Sequence, residues 1–203
     1  MVADLAWSRI WHSRAVAFEV LFVCTGNICR SPMAERLFTA RTASALPADL
    51  DVVATSAGTR AVVGHGMDTP SLIALRELGG DSSGHVARQF AGALAESADL
   101  VLTAQSDHRA HVVQAVPLAF RKTFTMREFA RLGAGLGPLD APSEDALRAR
   151  VADVAARRGW ADTAAPGADD IGDPFGATLS VARSCAVSVA EAIEGIVAAL
   201  GLG

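Results

Sequence analysis

Near its start the chain runs Phe18-Glu19-Val20-Leu21-Phe22-Val23-Cys24-Thr25-Gly26-Asn27-Ile28-Cys29-Arg30-Ser31-Pro32. Phe18 to Val23 is short, β-branched and aromatic, and almost wholly apolar, the pattern of a strand buried on both faces of a parallel sheet. The strand is expected to end near Cys24. Ser31 reads as a helix N-cap and Pro32 as the first helical position, with Met33, Ala34, Leu37 and Phe38 recurring at helical spacing. The loop between them therefore lies at the N-terminus of a helix.

Unpaired backbone N–H groups and the helix dipole make such a terminus attractive to a dianion. Gly26 and Asn27 tolerate the left-handed backbone that a tight anion-binding loop requires. Arg30 adds a planar fork of donors that matches two phosphoryl oxygens at once. The same field favours the anionic form of Cys24, so the loop holds a nucleophile beside a bound phosphoryl group. Two cysteines five residues apart can also be mere core filling, and the strand, glycine, Ser-Pro and helix context argues against that.

A thiolate that attacks a phosphate ester needs its leaving oxygen protonated, and the thiophosphate then needs a base to activate water. One carboxyl group can serve both steps. The candidates are Asp169, Asp170 and Asp173 in Asp169-Asp170-Ile171-Gly172-Asp173-Pro174-Phe175-Gly176. Pro174 holds Asp173 extended and Gly176 lets the loop turn back, which favours Asp173. An Asp-Pro pair can equally start a surface turn before the last helix, and spacing alone does not choose.

Composition sets bounds around this site. At 203 residues the chain fits one domain, with residues 1–17 as an N-terminal extension carrying Trp7 and Trp11 and residues 18–203 as the domain proper. The N-terminal segment has no sustained apolar stretch and no small-residue cleavage site. No run approaches the roughly 18 to 20 apolar residues of a membrane span, so no membrane partner is expected. Net charge is −4 and no Lys/Arg block appears, which argues against nucleic acid. Three cysteines, an odd and small number, argue against a secreted disulfide framework and fit a reducing cytoplasm, with secretion lacking a signal peptide as the other route.

Beyond the loop, strand and helix patterns alternate. Asp51 to Thr55 and Asp99 to Thr103 read as strands; Pro70 to Leu78, Gln105 to Val113, Thr125 to Leu132, Ser143 to Arg158 and Val181 to Leu200 read as helices. Gly133 to Pro138 reads as a break, and Gly159 to Asp173 as the most loop-like part of the second half. The alternation implies an α/β fold, a parallel sheet with helices on both faces and a ligand crevice at the carboxyl ends of its strands.

With these residues in view, the chain resembles the low-molecular-weight protein tyrosine phosphatases. Val23 to Glu35 is similar to that family's phosphate-loop signature, and Ser56-Ala57-Gly58-Thr59, Gly84 to Gln89 and Asp173-Pro174-Phe175-Gly176 match further segments in order, over roughly Val20 to Leu200. The resemblance implies a four-stranded parallel sheet and metal-free, cofactor-free hydrolysis of phosphotyrosine in a protein or peptide, through a phosphocysteine intermediate. It gives Cys24 the nucleophile role, Arg30 the transition-state clamp and Asp173 the acid and then base. Thr25, Gly26, Asn27, Ile28, Cys29 and Arg30 would surround the phosphate. Asn27, Ser31, Ser56 and His85 would brace the loop, with Ser31 donating to the Cys24 sulfur and His85 acting as a satisfied core histidine. Cys29 stands where a thiol can bond to Cys24 on oxidation, or is a buried bystander. Cys185 reads as core, and the state in solution as monomer or weak dimer.

The chain also departs from the family pattern. It contains no tyrosine, so tyrosines that often follow Asp-Pro and can be phosphorylated are replaced by Phe175 alone. The loop Arg60 to Asp68 lacks the aromatic residue that often lines the substrate slot, which leaves Thr59 and Arg60 as rim candidates. A thioredoxin-coupled arsenate reductase on the same fold needs a relay pair of cysteines, and none lies between Arg30 and Cys185. A protein-arginine phosphatase usually carries Thr at the position of Ile28, whose side chain crowds a guanidinium and offers it no hydroxyl. An idle phosphopeptide-binding module would not require Cys24, Arg30 and Asp173 together.

Overall fold

The computed structural model describes residues 17–43, 46–47, 50–159 and 164–202. The extension expected over 1–17 lies outside them apart from Ala17. Four strands, β1 (Phe18–Cys24), β2 (Val52–Gly58), β3 (Leu100–Thr103) and β4 (Thr123–Thr125), form one parallel sheet in the order β2-β1-β3-β4. From β1 the chain steps outward to β2, then returns past β1 to place β3 on its other side. The direction of winding thus reverses between β1 and β3, and the crevice at their carboxyl ends is where open α/β sheets bind ligands. Cys24 ends β1 at that point.

Alternate residues of the central strand serve two cores, as a pleated strand requires. Phe18, Val20 and Phe22 pack with α1 (Arg30–Thr42), α2 (Thr69–Glu77), α5 (Met126–Gly133), α6 (Glu144–Ala156) and α7 (Leu179–Ala199). Leu21 and Val23 point into a smaller cluster with residues of α3 (Gly92–Ser97) and α4 (Ser106–Ala115), Ala95 and Val112 among them. Both faces of β1 are dry from Val20 to Cys24, which explains the apolar run that follows Glu19.

Several boundaries differ from the sequence expectations for identifiable reasons. The first helix begins at Arg30 with Cys29 at its N-cap, so Ser31 is not the cap. Its hydroxyl is turned inward instead, toward Cys24. The short β4 follows Arg121 and Lys122, and its last residue, Thr125, caps α5 through a reciprocal pair of bonds with Glu128. Three residues ending in a cap carry no period to read. Gly133, expected within a flexible break, is the last residue of α5, where an added Cβ would lie 2.2 Å from that of Ala199. It lets α5 and α7 approach closely.

Candidate functional site

The segment from Cys24 to Arg30 wraps around the N-terminal end of α1. Asn27 takes a positive φ of 55°, alone in this among the described non-glycine residues. The end of β2 presses against the loop: a Cβ on Gly58 would stand 2.5 Å from the Thr25 carbonyl oxygen. Glycine is therefore needed there for close approach rather than for an unusual backbone angle.

A chain of hydrogen bonds runs through this loop. The Ser56 hydroxyl donates to Glu35 at 2.6 Å, so Ser56 Oγ accepts from Asn27 Nδ2 at 2.8 Å. Asn27 Oδ1 accepts from the Arg88 backbone N–H, which fixes the amide orientation and leaves Nδ2 free to reach Ser31 Oγ at 3.0 Å. Ser31 Oγ stands 3.0 Å from Cys24 Sγ and 3.3 Å from the Ala57 carbonyl oxygen, so its one proton has two acceptors within reach. His85 Nε2 lies 2.8 Å from the Asn27 carbonyl oxygen. His85 is half-buried, not the core histidine expected from the sequence.

Arg30 is buried to 1% exposure. A buried guanidinium is costly unless its donors are satisfied. Nη1 donates to Gln105 Oε1 at 2.8 Å and to the Ile171 carbonyl at 3.0 Å, while Nη2 meets Asp173 Oδ2 at 2.7 Å and Thr25 Oγ1 at 3.4 Å. Nε has no partner. A cavity of about 240 Å³ is lined by Cys24, Ile28, Arg30, Val62, Asp173 and Phe175 among others. Thr25, Gly26 and Cys29 line it too, as does Arg60 on the rim. Asn27, expected both to surround the phosphate and to brace the loop, is fully buried and its side chain bonds only to Ser31, Ser56 and the Arg88 N–H.

Of the three candidate acids, only Asp173 reaches this cavity. Its carboxyl is 43% exposed and also accepts from the Phe175 backbone N–H, a local turn that Asp before Pro favours. Asp170 is turned away, accepting from the Ser106 backbone and hydroxyl at the start of α4. Asp169 forms a two-pronged ion pair with Arg131 on α5. These contacts, with Ile171 N–H bound to the Ala104 carbonyl, seat the distant loop over the crevice. Cys185 on α7 touches the Gly172 carbonyl, and burial pushes its thiol up to about 11. Burial likewise pushes Cys29 up to about 12, so it stays a thiol at neutral pH and is a slow attacking sulfur.

Gln105 and His108, absent from the candidates read along the sequence, lie at the carboxyl end of β3 and the start of α4. The reversal of winding at β1 and β3 is the signal that could have found them. Chemically the cavity joins a sulfur nucleophile, a partly unsatisfied cation and a solvent-reachable carboxyl group, with one buried neutral histidine behind.

Comparison with known proteins agrees with this arrangement. The family described as "Low molecular weight phosphotyrosine protein phosphatase" matches residues 19–145. A low molecular weight protein-tyrosine-phosphatase of Streptomyces coelicolor is 39% identical over 132 residues, covering 63% of this chain and 77% of that protein. The Ptp phosphatase of Acinetobacter johnsonii is 34% identical over 108 residues, 53% of this chain and 71% of that one. Among solved structures, a low molecular weight protein tyrosine phosphatase from T. tengcongensis shares 28% identity at a TM-score of 0.64, over 89% of this chain and 98% of its own. The YwlE arginine phosphatase from Geobacillus stearothermophilus shares 28% at 0.63, over 88% and 90%. The family match ends before Asp173, whose place at the site rests on the fold. On the match across residues 19–145, the chain belongs to the low molecular weight phosphotyrosine protein phosphatase family.

Proposed function

We propose that this protein hydrolyses phosphotyrosine in proteins or peptides, and small aryl phosphates, through a phosphocysteine intermediate. The observation that carries the reading is the convergence of Cys24, Arg30 and Asp173 on one cavity, with Arg30 Nε lacking a partner within the protein. The phosphoryl oxygens take the loop N–H groups and the free edge of Arg30, displacing the Asp173 carboxylate from Nη2. Cys24 Sγ attacks phosphorus, the S–P bond forms, and the P–O bond to the ring breaks as protonated Asp173 gives its proton to the leaving oxygen. Asp173 then takes a proton from water, the water oxygen attacks phosphorus, and inorganic phosphate leaves as the Cys24 thiolate returns. Ser31 donates its hydroxyl proton to that thiolate, and Asn27, Ser56 and His85 hold the loop in place.

In this reading residues 18–203 act as one catalytic domain, a monomer or weak dimer of the cytoplasm, needing no metal or cofactor. Among the described residues no helix is long and apolar enough to cross a membrane. The likeness to an arginine phosphatase keeps phosphoarginine as the second reading. Ile28 argues for tyrosine, because it lines the cavity and sits tightly against Gly26. The deciding experiment compares kcat/KM on phosphotyrosyl and phosphoarginyl peptides for wild type, Cys24→Ser and Ile28→Thr. Wild type is expected to prefer phosphotyrosine, Cys24→Ser to be inactive on both, and Ile28→Thr to shift the ratio toward phosphoarginine. Preference of the wild type for phosphoarginine would overturn the assignment.

A further inference from the structure

Thr25 lines the Cys24 cavity, yet its hydroxyl is engaged from behind. Oγ1 receives Arg30 Nη2 in a long contact of 3.4 Å and lies 2.8 Å from His108 Nε2. A guanidinium only donates, so one lone pair of Oγ1 faces Arg30. The other bond depends on which ring nitrogen of His108 carries a proton.

His108 is 6% exposed. Burial, reinforced by the Arg30 charge, pushes it down to about 4, against the opposing pull of Asp173, Asp107 and Asp170. The ring is therefore neutral at neutral pH and has one proton to place. Nδ1 is buried with no partner. A buried N–H lacking an acceptor is a rarer and costlier orphan than an unused acceptor lone pair, so the proton belongs on Nε2. His108 then donates to Thr25. With donors on both sides, Oγ1 has its lone pairs occupied and its own proton is free to be donated, and Thr25 lines the cavity shared with Cys24 and Arg30 as well as a neighbouring one lined by Gln105 and His108.

We propose that the Thr25 hydroxyl is a further hydrogen-bond donor to the bound phosphoryl group, and that His108 is the positioning residue that aims it. The inference rests on the phosphatase reading, since the acceptor is a phosphoryl oxygen. It also unites the two polar side chains at the entry to α4, because Gln105 holds the guanidinium while His108, three residues on, orients the hydroxyl beside it.

The test is direct titration of inorganic phosphate into wild type, Thr25→Val, Thr25→Ser, His108→Ala and the double variant combining Thr25→Val with His108→Ala, with p-nitrophenyl phosphate kinetics beside it. Loss of a donor to a charged acceptor is expected to raise the phosphate Kd of Thr25→Val by about tenfold or more. Thr25→Ser, which restores the hydroxyl, is expected to recover most of that loss. His108→Ala should weaken binding when Thr25 is intact and add nothing once Thr25→Val is present, the signature of two residues acting through one proton. Equal phosphate affinity in Thr25→Val and wild type overturns the inference, as does an additive double variant. If His108→Ala does not fold, Thr25→Val and Thr25→Ser decide alone. Wild type that neither binds phosphate nor turns over p-nitrophenyl phosphate overturns the phosphatase reading as well, whereas binding and turnover with an indifferent Thr25→Val overturns this inference only.

Discussion

The phosphate loop and the acid loop contribute to one cavity by opposite means. Cys24 to Ser31 is contiguous in sequence, and Cys24, Asn27, Arg30 and Ser31 are all at 1% exposure or less. Its bracing is buried and polar, passing from Glu35 through Ser56, Asn27 and Ser31 to the sulfur. The loop bearing Asp173 enters from more than 140 residues beyond Arg30 in sequence, and its carboxyl is 43% exposed. It is anchored at one buried point, Ile171, which bonds to Ala104 and Arg30, and otherwise by partly exposed polar contacts, Asp169 to Arg131 and Asp170 to Ser106. The difference matches the demands of the proposed chemistry. A group that must hold an oxyanion unchanged through two steps gains from rigidity in a dry setting, where electrostatic interactions are strong. A group that must release Arg30, give a proton and then take one gains from access to water.

That contrast is sharpened first at Asp173. Asp173→Ala is expected to lower kcat on p-nitrophenyl phosphate by about 10²- to 10⁴-fold, the usual contribution of a general acid, while Asp170→Ala, which frees only the tether to α4, falls well short of that. Equal losses in the two variants would mean that the loop's seating, and not the Asp173 proton, is what matters. Ser31→Ala removes the hydroxyl facing the sulfur, and a lost hydrogen bond to a charged group is expected to cost about 10- to 100-fold in kcat/KM. Rates near wild type would show that the loop N–H groups alone suffice for the thiolate. Smallest is Arg131→Ala on the acid loop. Its ion pair with Asp169 is partly exposed, 37% and 22% for the two side chains, so the effect on kcat should stay within about fivefold, in line with the less than about 1 kcal/mol typical of such pairs. A loss as large as that of Ser31→Ala would show that the distant loop is held as strictly as the phosphate loop.

Legibility in the sequence follows the same divide. The strand, loop and helix around Cys24 can be read because each rests on local rules: an apolar run, residues tolerant of positive φ, and a proline near a helix start. Even there, Ser31 reads as a cap although its hydroxyl serves Cys24, because an N-cap serine and an inward serine look alike in one dimension. The acid can be narrowed to three carboxylates, and the choice of Asp173 among them needs the family resemblance. Gln105 and His108 carry no signature of their own, since a polar residue at the start of a helix is ordinary.

From the chain alone come Cys24 and Arg30, the proposed nucleophile and the cation that share its loop, the alternation that makes a parallel sheet, and the absence of cysteines between Arg30 and Cys185. Those properties depend on neighbours in sequence or on composition, where short-range sterics and hydrophobic period act. The fourth strand, the identity of the carboxyl group that meets Arg30, and the histidine behind Thr25 come from packing. Strand order β2-β1-β3-β4 brings the ends of β1 and β3 together, and α7 and α5 then set the last loop across them. No local rule encodes contacts made over such distances along the chain, because they form only once two cores have closed on either face of the sheet.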